Sequence, residues 1–265
     1  MEKSIYGYHL PPDISAHGYT IDRLIYIVHY FMIVLFIGWG VFFVYCLIRY
    51  RRREGHKASY ESNSSKLPKF AEIAVVLFEV FLLVGLSLPV WSRYKKDFPP
   101  DKDSTVVRVV AQQFVWNIHY PGEDGKFGRS DPKLITDSNP LGIDANDPNA
   151  ADDVVSLNQF HFPVNKPVIV HLTSKDVIHS FGVPVLRVKQ DAVPGMNVPI
   201  HFEAKQSGSY EIVCSQLCGV GHSLMKGNII VETQEEFDKW FKEQPRNFKP
   251  AAPKAADAGT KKHEG

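Results

Sequence analysis

Residues 214–225, Cys-Ser-Gln-Leu-Cys-Gly-Val-Gly-His-Ser-Leu-Met, gather two thiols, an imidazole and a thioether into twelve consecutive positions. Few chemistries other than soft-metal binding need that combination. Thiolate and thioether suit copper, and one Cys with two His and a long axial Met is the recurring mononuclear blue-copper set. Cys218, His222 and Met225 supply C-x3-H-x2-M, so a second imidazole must come from upstream. His179 is the best donor: it lies in Asp-Val-Ile-His-Ser-Phe, directly after the apolar run 168–172, where a loop end could present its ring. His161, His171 and His201 are rival imidazoles, each read as a half-exposed strand residue.

Cys214 is surplus to a mononuclear site, so it is either a bystander or part of a site for more than one metal. Two thiolates bridging a copper pair would use Cys214, Cys218, His179, His222 and Met225, and the backbone carbonyl of Gln216 is available for the remaining weak position. A centre of that kind shares one unpaired electron over two metals and suits electron transfer rather than substrate chemistry. Two alternatives use the same residues: a structural zinc site, which gains little from Met225, and a disulfide between the two cysteines in an oxidising compartment.

The cluster has to be carried by the rest of the 265 residues, whose formal net charge of +1 provides no global field for nucleic acid. Residues 25–48 carry no formal charge, and residues 73–91 carry one carboxylate, Glu79. Both runs are long enough to cross a bilayer core as helices, and Trp91 and Tyr94 stand where an interfacial belt would lie. Seven Lys/Arg fall between positions 49 and 69. By the positive-inside rule that loop is cytoplasmic, with the N-terminal segment and everything after Trp91 on the other side. The first span reads as a signal anchor rather than a removable signal peptide, and Cys46 within it as a small apolar filler.

Beyond a linker at 97–101 the texture changes to short β-prone runs at 105–110, 114–120, 154–157, 168–172, 197–202, 210–213 and 228–232, separated by Pro, Gly and Asp. That spacing predicts an antiparallel sandwich or barrel, followed by a brief helix over 234–241. The division predicted is an external N-terminal segment 1–24, a transmembrane hairpin 25–96, an all-β domain 97–245 and a disordered tail 246–265. Between two of the strands, residues 121–153 hold eight Asp/Glu against three Lys/Arg. This is either a solvated loop or an acidic surface that steers a basic partner.

With the cluster on a β domain behind a two-helix hairpin, the chain resembles subunit II of the cytochrome c oxidases, in the heme-copper oxidase superfamily. The resemblance covers about residues 20–240 and rests on C-x-x-x-C-G-x-x-H-x-x-M, on Val177-Ile-His-Ser-Phe, on Val188-Lys-Gln-Asp-Ala-Val-Pro-Gly195 and on Gln113-Phe-Val-Trp-Asn-Ile-His-Tyr120. It implies a cupredoxin-like sandwich carrying dinuclear CuA, with His179, Cys214, the Gln216 carbonyl, Cys218, His222 and Met225 at the matching ligand positions. It also implies electron flow from a c-type cytochrome through CuA to heme in subunit I, where oxygen is reduced and protons are pumped. Partners are then subunit I, further oxidase subunits, the cytochrome donor and membrane lipid; the location is the outer face of a bacterial cytoplasmic membrane. The chain has no C-x-x-C-H for a heme of its own.

Trp116 matches the tryptophan through which electrons enter in relatives, an indole exposed beside the metal site. Asp191 matches an aspartate near the subunit I interface, or is a turn residue bonded to its own backbone. Glu72 resembles the carboxylate at a proton-uptake channel mouth; Glu79, seven residues on and about 10 Å along the same helical face, is either a relay or a polar contact to a neighbouring helix. Three positions depart from the family pattern. Gln216 replaces a Glu that helps bind magnesium, Met196 replaces an Arg, and the second span lacks the usual early Trp and Pro. Rival readings are a CuA subunit of a nitric-oxide reductase, a copper-free quinol oxidase subunit, which the retained ligand set argues against, and a membrane-tethered copper carrier.

Overall fold

The computed structural model describes residues 10–55, 57, 60 and 65–246. The first nine residues, most of the Ser-rich stretch before Ser65, and the predicted tail from 247 onward lie outside the described residues. Contacts divide the chain into two compact units, His17–Phe98 and a second made of the N-terminal segment with Pro99 onward.

The first unit is helical. α1 (Gly18–Arg49) has 32 residues, about 48 Å at 1.5 Å per residue, so the expected span at 25–48 is its uncharged middle and the helix runs past the apolar stretch. The second span is α2 (Leu67–Val80), a π-helical turn (Phe81–Ser87) and α3 (Leu88–Lys96). Pro89 accounts for the π turn: it has no N–H to give the carbonyl four residues back, and its ring would clash there, so the preceding turn widens. The Ser87 hydroxyl donates to the Leu82 carbonyl at 3.1 Å inside that turn. Phe31 and Phe78 pack the two spans together with ring centroids 4.7 Å apart. Both spans are long and apolar enough to cross a membrane and are almost wholly unburied, the surface expected of helices solvated by lipid. Glu72 and Glu79 both lie on α2 and are exposed.

The second unit is a sandwich of two five-stranded sheets. One has the order β3-β2-β1-β5-β8 and the other β4-β10-β9-β6-β7. The strands are β1 (Thr105–Gln112), β2 (Val115–Tyr120), β3 (Val154–Leu157), β4 (Gln159–Pro163), β5 (Pro167–Ser174), β6 (His179–Val183), β7 (Val188–Ala192), β8 (Val198–Glu203), β9 (Gly208–Cys214) and β10 (Lys226–Glu232). Strand β1 shows why: its burial alternates residue by residue, the period-2 pattern of a strand with one face in a core. Val107, Val109, Trp116, Ile118, Val170 and Leu172 from the first sheet meet Phe160, Phe162, Phe181, Ile212 and Ile229 from the second.

Three strands, β4, β6 and β7, were not predicted, and the sheets are mixed rather than antiparallel, since β1 pairs with β5 and β4 with β10 in parallel. The parallel pairs arise because the chain changes sheet at single corners. At Asn158 (φ 57°) it leaves β3 in one sheet and enters β4 in the other. The Asn158 side chain accepts from the Trp116 amide at 2.8 Å, its own amide donates to the Trp116 carbonyl, and its carbonyl accepts from the Asn228 amide. Residues 10–16 also join this unit: Ile14 is buried in the core and its amide donates to the Val185 carbonyl.

α4 (Gln234–Glu243) starts on a capping box, Thr233 with Glu236, and lays Phe237, Trp240 and Phe241 around Tyr120. The Tyr120 hydroxyl donates to the His161 carbonyl and accepts from the His161 amide, and the Trp240 indole stacks on the His161 ring at 3.9 Å. His161, read as a half-exposed strand residue, is therefore buried.

The acidic insertion 121–153 is folded, with many of its residues exposed. It packs Leu141, Ile143 and Ala150 against Val110 and Val155 on the outer face of the first sheet. Its carboxylates accept from backbone amides: Asp131 from Lys133, Asp147 from Asn149 and Arg129, Asp152 from Glu123, and Asp153 from Gly128. Gly142 (φ +61°) is required here, because a Cβ would meet the Asp131 carbonyl at 2.3 Å. This cover is why β2 is buried on both faces, and beneath it the His119 ring and the Asp153 carboxylate meet at 2.7 Å with no exposure.

Burial lowers the pKa of His119 from its ordinary 6.5, and the bond to Asp153 only partly restores it; His161 is lowered by burial in the same way against Glu232. The folded state thus holds these rings neutral, while the unfolded chain takes up protons near 6.5, so stability present above that pH is lost as pH falls below it. The thermal midpoint of the full chain should drop between pH 7 and 5. His119→Gln should be less stable at neutral pH by about 1–3 kcal/mol, from the acceptor left unmatched on Asp153, and its midpoint should fall less steeply over that range, as followed by thermal unfolding at a series of pH values.

Candidate metal centre

Strand pairing brings together what the sequence separates by 35 positions. β6 lies beside β9 with Phe181 opposite Cys214, so His179 at the start of β6 stands next to the loop that leaves β9. The Nδ1 of His179 is 3.9 Å from the Cys214 Sγ, and the two sulfurs are 3.8 Å apart. The Cys218 Sγ is 3.7 Å from the His222 Nδ1 and 3.8 Å from the Met225 Sδ. The Gln216 carbonyl oxygen lies 3.2 Å from the Cys214 Sγ. All six candidate ligand residues are thus gathered around one sulfur pair. His179, Cys214 and Cys218 in addition have mutually adjacent donor atoms and are buried.

The sulfurs are too far apart for a disulfide, which needs about 2.05 Å, and both cysteines are free. Burial, with Cys214 alongside, pushes the Cys218 thiol up to about 11. Two thiolates at this separation repel by about 4 kcal/mol at an effective dielectric of 20, so the pair can ionise together only around a cation. The donor set, two thiols, two imidazole Nδ1 atoms and a buried thioether, fits a soft metal. Zinc gains nothing from the thioether, whereas copper does.

Three backbone features hold the loop. The Ser215 amide donates to the Ser180 carbonyl, and the Cys214 and Met225 main chains are bonded to each other. The Gln113 side chain donates to the Cys218 carbonyl at 2.6 Å. The Phe114 ring lies flat on the glycines of the loop: a Cβ on Gly221 would stand 2.5 Å from it, so a side chain at Gly221 would displace the ring.

The structure corrects the expectation for Trp116. Its indole is fully buried in the sandwich, with Phe181 at 5.6 Å and His179 at 6.3 Å between ring centroids, because positions 116, 118 and 120 are the core-facing set of β2. The aromatic that reaches the surface beside the cluster is Phe114, half-buried one residue before β2 begins. Leu217, Val220 and Leu224 are fully or largely exposed around it. Asp191 is a β7 strand residue opposite Ser180, ion-paired with Lys189 at 3.5 Å, not a turn residue bonded to its own backbone.

Asp176 was not singled out from sequence, although the Asp-x-x-His spacing before His179 is a readable signal. Its carboxylate accepts from the His179 Nε2 at 2.9 Å and from the Gln113 and Val177 amides. Burial opposes its ionisation, but these donors outweigh burial and hold its pKa below the ordinary value. An ionised carboxylate only accepts, so the Nε2 carries the proton and the Nδ1 offers its lone pair to the cluster.

The family described as "Cytochrome C oxidase subunit II, periplasmic domain" matches residues 105–234. The alternative cytochrome c oxidase subunit 2 of Bradyrhizobium diazoefficiens is 34% identical over 234 residues, 88% of this chain and 83% of the relative. The chain belongs to the cytochrome c oxidase subunit II family. Cytochrome c oxidase subunit 2 of Cereibacter sphaeroides is 30% identical over 216 residues, 76% of this chain and 68% of the relative. Among solved structures, the periplasmic domain of subunit II of cytochrome oxidase (CoxB) of Bradyrhizobium japonicum aligns with 57% of this chain and 98% of its own at 30% identity, with a TM-score of 0.42. The β unit of this chain is the expected cupredoxin-like sandwich, preceded by two apolar helices.

Removing the orienting charge tests the role of Asp176. Asp176→Asn should weaken copper affinity about 10–100-fold, the usual cost of losing a carboxylate that orients a ligating histidine, while far-UV circular dichroism stays unchanged; chelator competition measures it.

Proposed function

We propose that this chain is the electron-entry subunit of a cytochrome c oxidase, with two copper ions held by Cys214, Cys218, His179, His222, Met225 and the Gln216 carbonyl. The observation that carries this reading is the pair of buried thiols 3.8 Å apart, flanked on both sides by imidazole Nδ1 atoms. Copper bound there would supply reversible one-electron redox chemistry. The protein's part is to keep the site dry and rigid: strands β6 and β9 fix both ends of the ligand set, and Asp176 fixes the tautomer of His179. A site whose ligands are pinned by neighbouring strands of one sheet rearranges little when its charge changes.

The electron donor is a c-type cytochrome and the acceptor a heme in subunit I, where oxygen is reduced to water with proton pumping. Burial of Trp116 moves the entry point to Phe114, whose ring covers Gly219 and Gly221 of the ligand loop. The apolar rim of Leu217, Val220 and Leu224 is surface suited to burial against partner proteins. Asp191, on the strand next to His179, lies on the subunit I side in this reading. The amide of Gln216 is a weaker ligand than a carboxylate for a hard cation, so any magnesium at that position is weakly held.

By the positive-inside rule the basic stretch from Arg49 to Lys69 is cytoplasmic, which puts the N-terminal segment and the β unit on the outer face of a bacterial cytoplasmic membrane, in contact with lipid along α1, α2 and α3. We divide the chain at about residues 24, 96 and 245. Glu72, near the cytoplasmic end of α2, is placed for proton uptake. Glu79 deeper in the same helix is a polar contact or relay.

Metal analysis with electron paramagnetic resonance decides the centre: two coppers per chain and a hyperfine pattern from one electron shared by two nuclei are expected, and a single copper per chain would overturn it. Cys218→Ser should hold at most one copper and lose donor oxidation. For the entry point, Phe114→Ala should slow cytochrome oxidation about tenfold, or 1.4 kcal/mol, with copper content intact; Trp116→Phe should act mainly on thermal stability.

A further inference from the structure

The outer face of the first sheet and the folded insertion enclose a cavity of about 440 Å³, distinct from the metal centre. Its walls are of two kinds. Val110, Ile135, Leu141 and Met196 are apolar, while Arg108, Thr173 and Lys175 bring polar heads to the same space, with His119 in the floor. The volume falls in the range of small-molecule sites, which combine apolar walls with a few fixed polar groups.

Arg108 is the unusual member. It is half-buried, its guanidinium packs over the Phe127 ring at 4.5 Å, and it makes no hydrogen bond or ion pair with any side chain among the described residues. Asp153 is near enough to act on it electrostatically, but burial costs its charge more than Asp153 returns; the Oδ2 of that carboxylate takes His119 and the Gly128 amide, and its Oδ1 is buried without a hydrogen bond to Arg108 or any other group. The five N–H donors of Arg108 therefore stand beside the cavity with no side chain hydrogen-bonded to them among the described residues. The His119 Nδ1 is likewise buried and without a partner. Lys175 adds a second cation, anchored to Gln112 at 3.2 Å.

A planar guanidinium short of an acceptor matches carboxylate or phosphate oxygens in bidentate geometry. We propose that this cavity binds a small organic oxyanion, its charged head on Arg108 with Lys175 beside it and its apolar body against Val110, Leu141 and Met196. The ligand comes from one of two sources with this chemistry, a soluble organic acid or the headgroup of an anionic lipid. The site exists because the insertion is folded: Leu141 and Ile135 belong to it, so a relative without these residues would have an open sheet face there.

The test is equilibrium binding to the full chain in nonionic detergent, with hexanoate, inorganic phosphate, hexanol and short-chain phosphatidate as probes. Hexanoate should bind saturably at one site per chain, phosphate should compete with it, and hexanol should not. Arg108→Gln should weaken hexanoate at least tenfold and Lys175→Gln less, with Lys242→Gln, on the exposed face of α4, unchanged. Should Arg108→Gln fail to fold, Met196→Trp, at an exposed position on the cavity wall, should still abolish binding. Displacement of hexanoate by phosphatidate assigns the lipid source, and its failure assigns the soluble acid. Absent saturation, binding of hexanol equal to hexanoate, or affinity unchanged by both Arg108→Gln and Met196→Trp would overturn the proposal.

Discussion

Two buried thiols 3.8 Å apart impose the condition that the rest of the β unit satisfies. Burial, with Cys214 alongside, raises the Cys218 thiol, and two thiolates at this separation cannot coexist without a cation between them. Metal and charged ligands therefore form one thermodynamic unit, and binding is coupled to proton release. The surrounding groups follow from this. Neutral imidazole nitrogens and a thioether add donors without adding charge, and the one nearby carboxylate, Asp176, is turned toward the far nitrogen of His179 rather than toward sulfur.

One sheet places those groups and the other backs them. The ligand loop begins at the end of β9 and closes at the start of β10, so its ends are fixed by an antiparallel pair, while β6 delivers His179 from the other side. Asn158 joins the sheets at the corner next to Trp116 through three backbone contacts, and the buried indole fills the space behind His179. The same packing that makes the site rigid removes Trp116 from the surface and leaves Phe114, outside the strand, as the half-buried ring at the surface.

The insertion shows that a charge count does not reveal whether a segment is folded. Its carboxylates are spent on amide donors of tight turns and on the buried His119 ring, which converts a net negative segment into a folded cover with its own small core. The cover leaves the His119 Nδ1 and the Asp153 Oδ1 buried without partners beneath it, beside an Arg108 that no side chain hydrogen-bonds among the described residues. Exposed charges of the insertion itself, such as Lys126 and Asp137, remain free to act at long range.

The candidate cluster was legible in the amino-acid sequence because five of its six members lie within twelve residues and include rare, soft donors; the two apolar helices were legible because lipid demands long uncharged runs. Strands with one face in the core, such as β1, were legible from alternation. β4, β6 and β7 were not: β4 follows β3 without a turn signal, and β6 is buried throughout, so neither shows a period. Choosing His179 over His161, His171 and His201 on geometry, burying Trp116, leaving Phe114 half-buried at the surface and pairing Asp176 with the His179 ring all depend on which strands lie side by side. That is a matter of long-range pairing and sheet switching at single residues, and a linear pattern carries no record of it. Local chemistry is written in neighbouring residues; distance across a sandwich is decided only when the two sheets close on a common core.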